Sequence, residues 1–230
     1  MARAKRKASQ QPEEEEEVND NEEASQEATP TQRHNGEVLP DAVKAFLQII
    51  MSRGALTQAQ AEEALGTAIQ SFGGAALNLD AVLRRANAQL KLMDLEIKGT
   101  RLQGGGGHVI YYAMANMNAD EISKKHGTTM SSWRLDAFNT ILDAFKPEEG
   151  ATTVATGGYP VLSYDHMRTL KPKTATEVDY ATFVQKLAND MWLKMEDKRG
   201  KSYSLGPRTY IELRMLLEAR AIACPQLLLY

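Results

Sequence analysis

Twice along this chain a set of helical apolar faces gives way to a pair of β-rich segments joined through glycine. That alternation restricts the fold more than any other feature of the sequence. The first set begins near Pro40, a residue suited to the first turn of a helix. Val43, Phe46, Leu47, Ile50 and Met51 then fall on one helical face, which Gly54 stops. Thr57 and Gln60 have the spacing of a capping box for a second helix. That helix carries Ala61, Leu65, Ala68 and Ile69 and ends at Gly73-Gly74. A third, from Asn78, places Leu79, Leu83, Ala86 and Leu90 on one face. The period then shortens: Leu95, Ile97, Thr100 and Leu102 read as a strand, Gly104 to Gly107 as a turn, and Val109 to Ala115 as the return strand.

The second set repeats the order. Asp120 to His126 fits a short connecting helix closed by Gly127. Met130 to Phe145 reads as a helix with two apolar stripes, one through Trp133, Ala137, Ile141 and Ala144, the other through Leu135, Phe138, Leu142 and Phe145. Such a helix is expected to be buried on two sides, between domains or against a partner. Lys146-Pro147 ends it, and the Gly/Thr/Pro-rich residues 148–160 read as a loop. Ser163 to Leu170 fits a short helix. Thr176 caps another, with Tyr180, Phe183, Val184, Leu187 and Met191 inward. Trp192 to Met195 and Ser202 to Leu205 then flank a Lys198-Arg199-Gly200 turn, and Gly206-Pro207 opens a closing helix through Leu213, Leu216 and Leu217.

Helices followed by a β-hairpin are the order of a winged helix, a relative of the helix-turn-helix. The expected fold class is mainly α with small β-hairpins, an α+β chain of tandem winged-helix domains, in preference to a single α+β domain. The expected boundaries are 38–118 for the first module and 119–222 for the second, with 223–230 following them.

Residues 1–37 precede the modules. Over residues 1–36 there are five Lys/Arg and nine Asp/Glu, and Val18 is the single β-branched aliphatic. A segment so poor in large apolar side chains cannot offset its ordering entropy, so a disordered acidic tail is expected. Arg3, Lys5, Arg6 and Lys7 form a basic cluster that reads either as a nuclear import signal or as a solvated tail. Beyond residue 36 the charges nearly cancel, with 22 basic and 21 acidic residues, so bulk charge does not indicate a strongly basic nucleic-acid binder.

Catalytic signatures are lacking. The chain has no phosphate-binding loop, nucleophile elbow, zinc-protease motif or dinucleotide fingerprint. Gly104 to Gly107 is not followed by Lys-Ser/Thr and does not open a helix, so it reads as a wing tip. Ser163, Asp165 and His166 are neighbours in sequence, which is no evidence for a triad. The four histidines are scattered and Cys224 is the sole cysteine, so neither a disulfide framework nor a metal site is expected.

Nucleic-acid contact is a weaker expectation, resting on Arg84 and Arg85 in the third helix and on Lys198 and Arg199 in the second wing. Basic wings and helices suit phosphate contact without base readout. Glu177, Asp179 and Asp190 on the corresponding helix of the second module oppose it. For Trp133, Phe138, Leu142 and Phe145 the expectation is packing against a partner or between domains, with ordinary core as the alternative.

The segment Phe46-Leu47-Gln48-Ile49-Ile50-Met51-Ser52-Arg53-Gly54-Ala55-Leu56 resembles the opening of non-SMC element one, a subunit family of the Smc five–six complex. Leu95-Glu96-Ile97-Lys98 with Tyr111-Tyr112-Ala113 and Asn116 resembles its first wing. Phe183-Val184, Trp192-Leu193, Tyr203-Ser204-Leu205-Gly206-Pro207-Arg208 and Glu212-Leu213 resemble its second wing and closing helix. The resemblance spans about residues 38–220. It implies a nuclear subunit in DNA repair, recombination and chromosome maintenance that binds a MAGE-type partner and, through the larger complex, a kleisin subunit, with no membrane role. It also implies a RING-type ubiquitin ligase family. A RING needs two zinc ions and about eight Cys/His ligands. Cys224-Pro225-Gln226-Leu227 falls where the first ligand pair would begin, and the second position is Leu. Residues 223–230 therefore read as a remnant where a RING would start, with a shortened C-terminus. Zinc and a ubiquitin-conjugating enzyme are expected only in a RING-containing form, and intrinsic ligase activity does not carry over. The alternative reading is a stand-alone tandem winged-helix DNA-binding regulator.

Overall fold

The computed structural model describes residues 38–73, 77–104, 107–118, 130–146 and 159–230. The expected tail over 1–37, the connecting helix at Asp120–His126 and most of the loop at 148–160 lie outside the described residues. So do Gly105 and Gly106 of the first wing tip.

Helix α1 (Asp41–Arg53) buries Ala42, Val43, Phe46 and Ile50 and ends at Gly54, whose φ of 75° no L-residue adopts comfortably. A short strand β1 (Ala55–Thr57), not foreseen from the sequence, follows. The expected capping box starts α2 (Gln58–Phe72): Thr57 Oγ1 accepts from the Gln60 N–H at 3.2 Å, and Gln60 Oε1 accepts from the Thr57 N–H at 2.9 Å. Asn78 caps α3 (Leu79–Leu90) by accepting from the Ala81 N–H at 3.0 Å. A 3-10 turn over Lys91–Met93 leads into β2 (Leu95–Gly104), which pairs along its full length with β3 (Gly107–Asn116).

The second half contributes α4 (Ser132–Asp143), β4 (Val161–Ser163), α5 (Tyr164–Thr169) and α6 (Glu177–Asn189). Strands β5 (Leu193–Met195) and β6 (Ser202–Leu205) make the second hairpin. β4, not foreseen from the sequence, takes Ser163 from the start of the expected short helix and pairs antiparallel with β6 to give the sheet order β4-β6-β5. The single closing helix expected after Pro207 is two short ones, α7 (Pro207–Glu212) and α8 (Arg214–Ala219), broken at Leu213. The break lets one segment serve two cores: Ile211 packs with Ala55, Ala113 and Ala115, and Leu217 with the second core. Trp192 lies just outside β5 because Met191, at φ 63°, turns the chain there.

The two hairpins do not stand apart. Residues 37–230 form one compact unit. One core cluster joins α1, α2 and α3 with Leu56, Ile97 and Tyr112. The other, built on α4, α6 and the second sheet, also takes in Leu102 from β2, with Tyr111 of β3 packed against it. The first hairpin is therefore shared between two cores.

Residues 223–230 are part of this architecture. Strand β7 (Leu227–Leu228) pairs antiparallel with β2 at Gly99 and Thr100, completing a four-stranded sheet of order β1-β3-β2-β7. A Cβ on Gly99 would stand 3.2 Å from Leu228 Cβ, so the glycine admits the close approach. Tyr230 lies edge-on to Tyr112 at 5.6 Å between ring centroids.

Candidate partner interface

Three surfaces were singled out from the sequence, and the structure treats them differently. In α4, Phe138, Leu142 and Phe145 are buried in the chain's own second core, and Phe145 is 0% exposed. Their apolar area is already spent inside the chain, so of the two readings offered, packing on a partner or between domains and ordinary core, these three side chains take the core one. Trp133 is half-buried. Its ring meets Phe183 edge-on at 5.6 Å, and the Arg134 guanidinium lies 5.3 Å from its centroid. Of the four, Trp133 retains surface for a partner.

The junction between the halves turns on Arg208, which sequence reasoning assigned no role. Its guanidinium lies 4.2 Å from the Trp192 ring centroid, a cation–π distance. Its Nε donates to Glu212 Oε1 at 2.5 Å. A Cβ added to Gly54 would stand 2.8 Å from Arg208 Nη1, so the first helix ends where this arginine passes. The Trp192 ring also meets Phe138 edge-on at 5.7 Å between centroids. One side chain thus links the turn after α1, the second wing and, through Trp192, helix α4. Burial pushes the Glu212 carboxyl up from its ordinary range, and the Arg208 hydrogen bond and charge pull it back. The corner that seats Arg208 is tight: a Cβ at Gly206 would stand 2.1 Å from the Met191 carbonyl oxygen. A second bridge runs from Lys194 Nζ, which donates to the Gln103 carbonyl at 3.0 Å and pairs with Glu196 at 2.9 Å.

The second wing presents its cations on an organised turn. The Asp197 carboxylate accepts from Ser202 Oγ at 2.6 Å, from the Lys201 N–H at 3.0 Å and from the Arg199 N–H at 2.8 Å. The Ser202 hydroxyl first, then the Lys201 amide, hold its pKa down at about 2. Gly200, at φ 63°, closes the turn. Lys198 and Arg199 are exposed and line a groove of about 360 Å³ with Tyr164, Gln185 of α6, Met195 and Tyr203. Arg84 is exposed and Arg85 half-buried on α3, in the other half of the fold. The two basic pairs therefore occupy separate elements, and the groove brings together only Lys198 and Arg199.

Cys224 is half-buried, and burial raises its thiol pKa. Among the described residues no group of three or more His, Cys, Asp or Glu side chains could hold a metal ion. Among the same residues no helix is long and apolar enough to cross a membrane.

The family model described as the Nse1 non-SMC component of the SMC5-6 complex matches residues 43–157, half of the chain. The chain belongs to the Nse1 family. The matched region holds all but the first two residues of α1, helices α2 to α4, and strands β2 and β3. A chain in a solved structure titled "Nse1-Nse3-Nse4 complex" superposes with a TM-score of 0.64 at 17% identity, covering 81% of this chain and 78% of that one. At that identity the likeness concerns the fold alone, and its extent carries it beyond the first hairpin into the second half. The winged-helix order expected from the sequence agrees with it. No curated protein matches the chain in sequence.

Proposed function

We propose that this chain is the Nse1-type subunit of an SMC5-6 complex and acts in DNA repair, recombination and chromosome maintenance in the nucleus. It works as a scaffold: it pairs with a MAGE-type subunit and, in the larger assembly, is joined to a kleisin. The observation that carries the reading is the family match, together with the likeness of this fold, over most of both lengths, to a chain of the Nse1-Nse3-Nse4 complex. The basic cluster at Arg3, Lys5, Arg6 and Lys7 supports nuclear import.

The Arg208 junction supports a scaffold physically. A subunit that presents a composite surface must keep its two halves in fixed relation, and here a charged, stacked side chain and a shared hairpin do so. Trp133 is the residue of α4 proposed to contact the partner. Mixing the purified full chain with a MAGE-type subunit and measuring complex formation by sedimentation tests the reading. A stable one-to-one complex is expected, and failure to associate at micromolar concentration refutes it.

A second reading, nonspecific contact with DNA, rests on the exposed Lys198 and Arg199 at the organised wing tip. Its signature is binding that falls steeply with salt and weakens when both are neutralised.

A further inference from the structure

Helix α2 contains a glycine that the fold does not explain. Gly66 lies mid-helix, where glycine is less favourable than alanine. Such residues usually admit close packing from elsewhere in the chain. Here a Cβ on Gly66 would meet nothing within 4 Å. The space it leaves belongs to a groove of about 590 Å³ between α2 and the start of α3. Leu65, Gly66 and Ile69 form one wall, Leu77 and Asp80 the other, and Tyr112 lies at the base.

Two further observations describe what the groove would accept. Leu65, Ile69 and Phe72 fall on one face of α2, and Phe72, at the end of the helix, is 60% exposed. The apolar surface therefore continues past the groove into solvent. The rim is acidic: Glu62 and Asp80 are exposed on opposite walls, and among the described residues lining the groove none is Lys or Arg. Both carboxylates bear on the Tyr112 hydroxyl, which burial, the Tyr230 hydroxyl and these charges together hold well above its ordinary pKa.

We infer that this groove is a docking site for a basic amphipathic helix of another protein, whose aliphatic side chains enter between α2 and α3. Its flanking Lys or Arg residues meet Glu62 and Asp80, and its backbone approaches α2 at Gly66. The recognition is of the helix-in-groove kind, with the missing side chain at position 66 setting the depth of approach. The inference stands on the groove alone and does not depend on the pairing proposed above.

The test separates binding from stability because the same substitution moves them in opposite directions. The probes are two short synthetic helices with identical leucine anchors, one flanked by lysines and one by glutamates, titrated into the isotopically labelled full chain. The lysine helix is expected to shift the amide resonances of residues 62–69 and 77–82, and the glutamate helix to leave them in place. Gly66→Ala is expected to raise the melting temperature by a few degrees, as alanine in a helix interior does, while weakening the lysine helix several-fold. Gly66→Met is expected to weaken it roughly tenfold or more by filling the site. Unchanged affinity in Gly66→Met, shifts scattered over acidic surface outside the groove, or a lowered melting temperature in Gly66→Ala each overturn the inference. Concentration-dependent dimerisation of the chain that Gly66→Met abolishes overturns it too, because the occupant would then be a second copy.

Discussion

Asn87 holds both backbone polar groups of Ile97. Its side-chain oxygen accepts from the Ile97 N–H at 2.8 Å and its amide donates to the Ile97 carbonyl at 2.9 Å. Asn87 is 1% exposed and Ile97 0%. A side chain on α3 thus occupies the place a neighbouring strand would take along β2. Buried backbone groups need such partners, and leaving them unpaired costs about 1–3 kcal/mol each. Asn87→Leu, similar in size and unable to pair, is expected to destabilise the chain by about 3 kcal/mol, read as a shift in the denaturant midpoint.

Gly206 tests steric necessity. Because a Cβ there would stand 2.1 Å from the Met191 carbonyl oxygen, which is backbone, Gly206→Ala must displace the corner that seats Arg208 and Thr209. A loss of at least about 3 kcal/mol is expected, measured by thermal unfolding. A variant as stable as the parent would refute the close approach.

Removing Arg208 has a pH signature. Glu212 already has its folded-state pKa raised by burial, with Arg208 opposing the rise. In Arg208→Ala the opposition is gone and the folded pKa climbs further. An acid whose folded pKa exceeds its unfolded value costs stability above the folded pKa, and the cost disappears as pH falls below the unfolded one. The variant's deficit against the parent should therefore be largest near neutral pH and shrink towards about pH 4. Melts at several pH values follow it, with Trp192 fluorescence reporting loss of the stacked cation.

Asp197 makes the opposite case. Its folded pKa is depressed to about 2, so its contribution is full above the unfolded value near 3.8 and is lost as pH falls through that window. Asp197→Asn is expected to speed amide exchange at Arg199 and Lys201 at neutral pH while leaving global unfolding nearly unchanged, since the group lies at the surface.

The α4 aromatics separate core from contact. Phe145→Ala should cost about 3–5 kcal/mol as a cavity in the second core. Trp133→Ala should be milder for folding and weaken association with a MAGE-type subunit. If Phe145→Ala left stability untouched, the burial described for α4 would be wrong.

Much of this fold could be read from residue spacing, because the helices of the first half are amphipathic with strong caps at Thr57 and Asn78. The three-residue strands β1 and β4 could not, since so short an extended segment has too little periodicity to register. The break at Leu213 was hidden because Leu213, Leu216 and Leu217 satisfy one helical period and share one core, while Ile211 just before them packs on another. For the α4 stripe, periodicity announced burial but could not say against what. Asn87 was visible as a polar residue beside Leu83, Ala86 and Leu90 on the apolar face of α3. The Arg208 junction joins residues far apart in sequence, which no local pattern encodes.

The strand at Leu227–Leu228 gives the first sheet a particular relation to time. Its other three strands are synthesised before any of the second half, yet its outer edge stays open until the chain has travelled through that half and come back. Exposed strand edges invite pairing with other chains. A subunit that has not made this return would leave Gly99 and Thr100 unpaired on that edge, while the folded one covers them with Leu227 and Leu228.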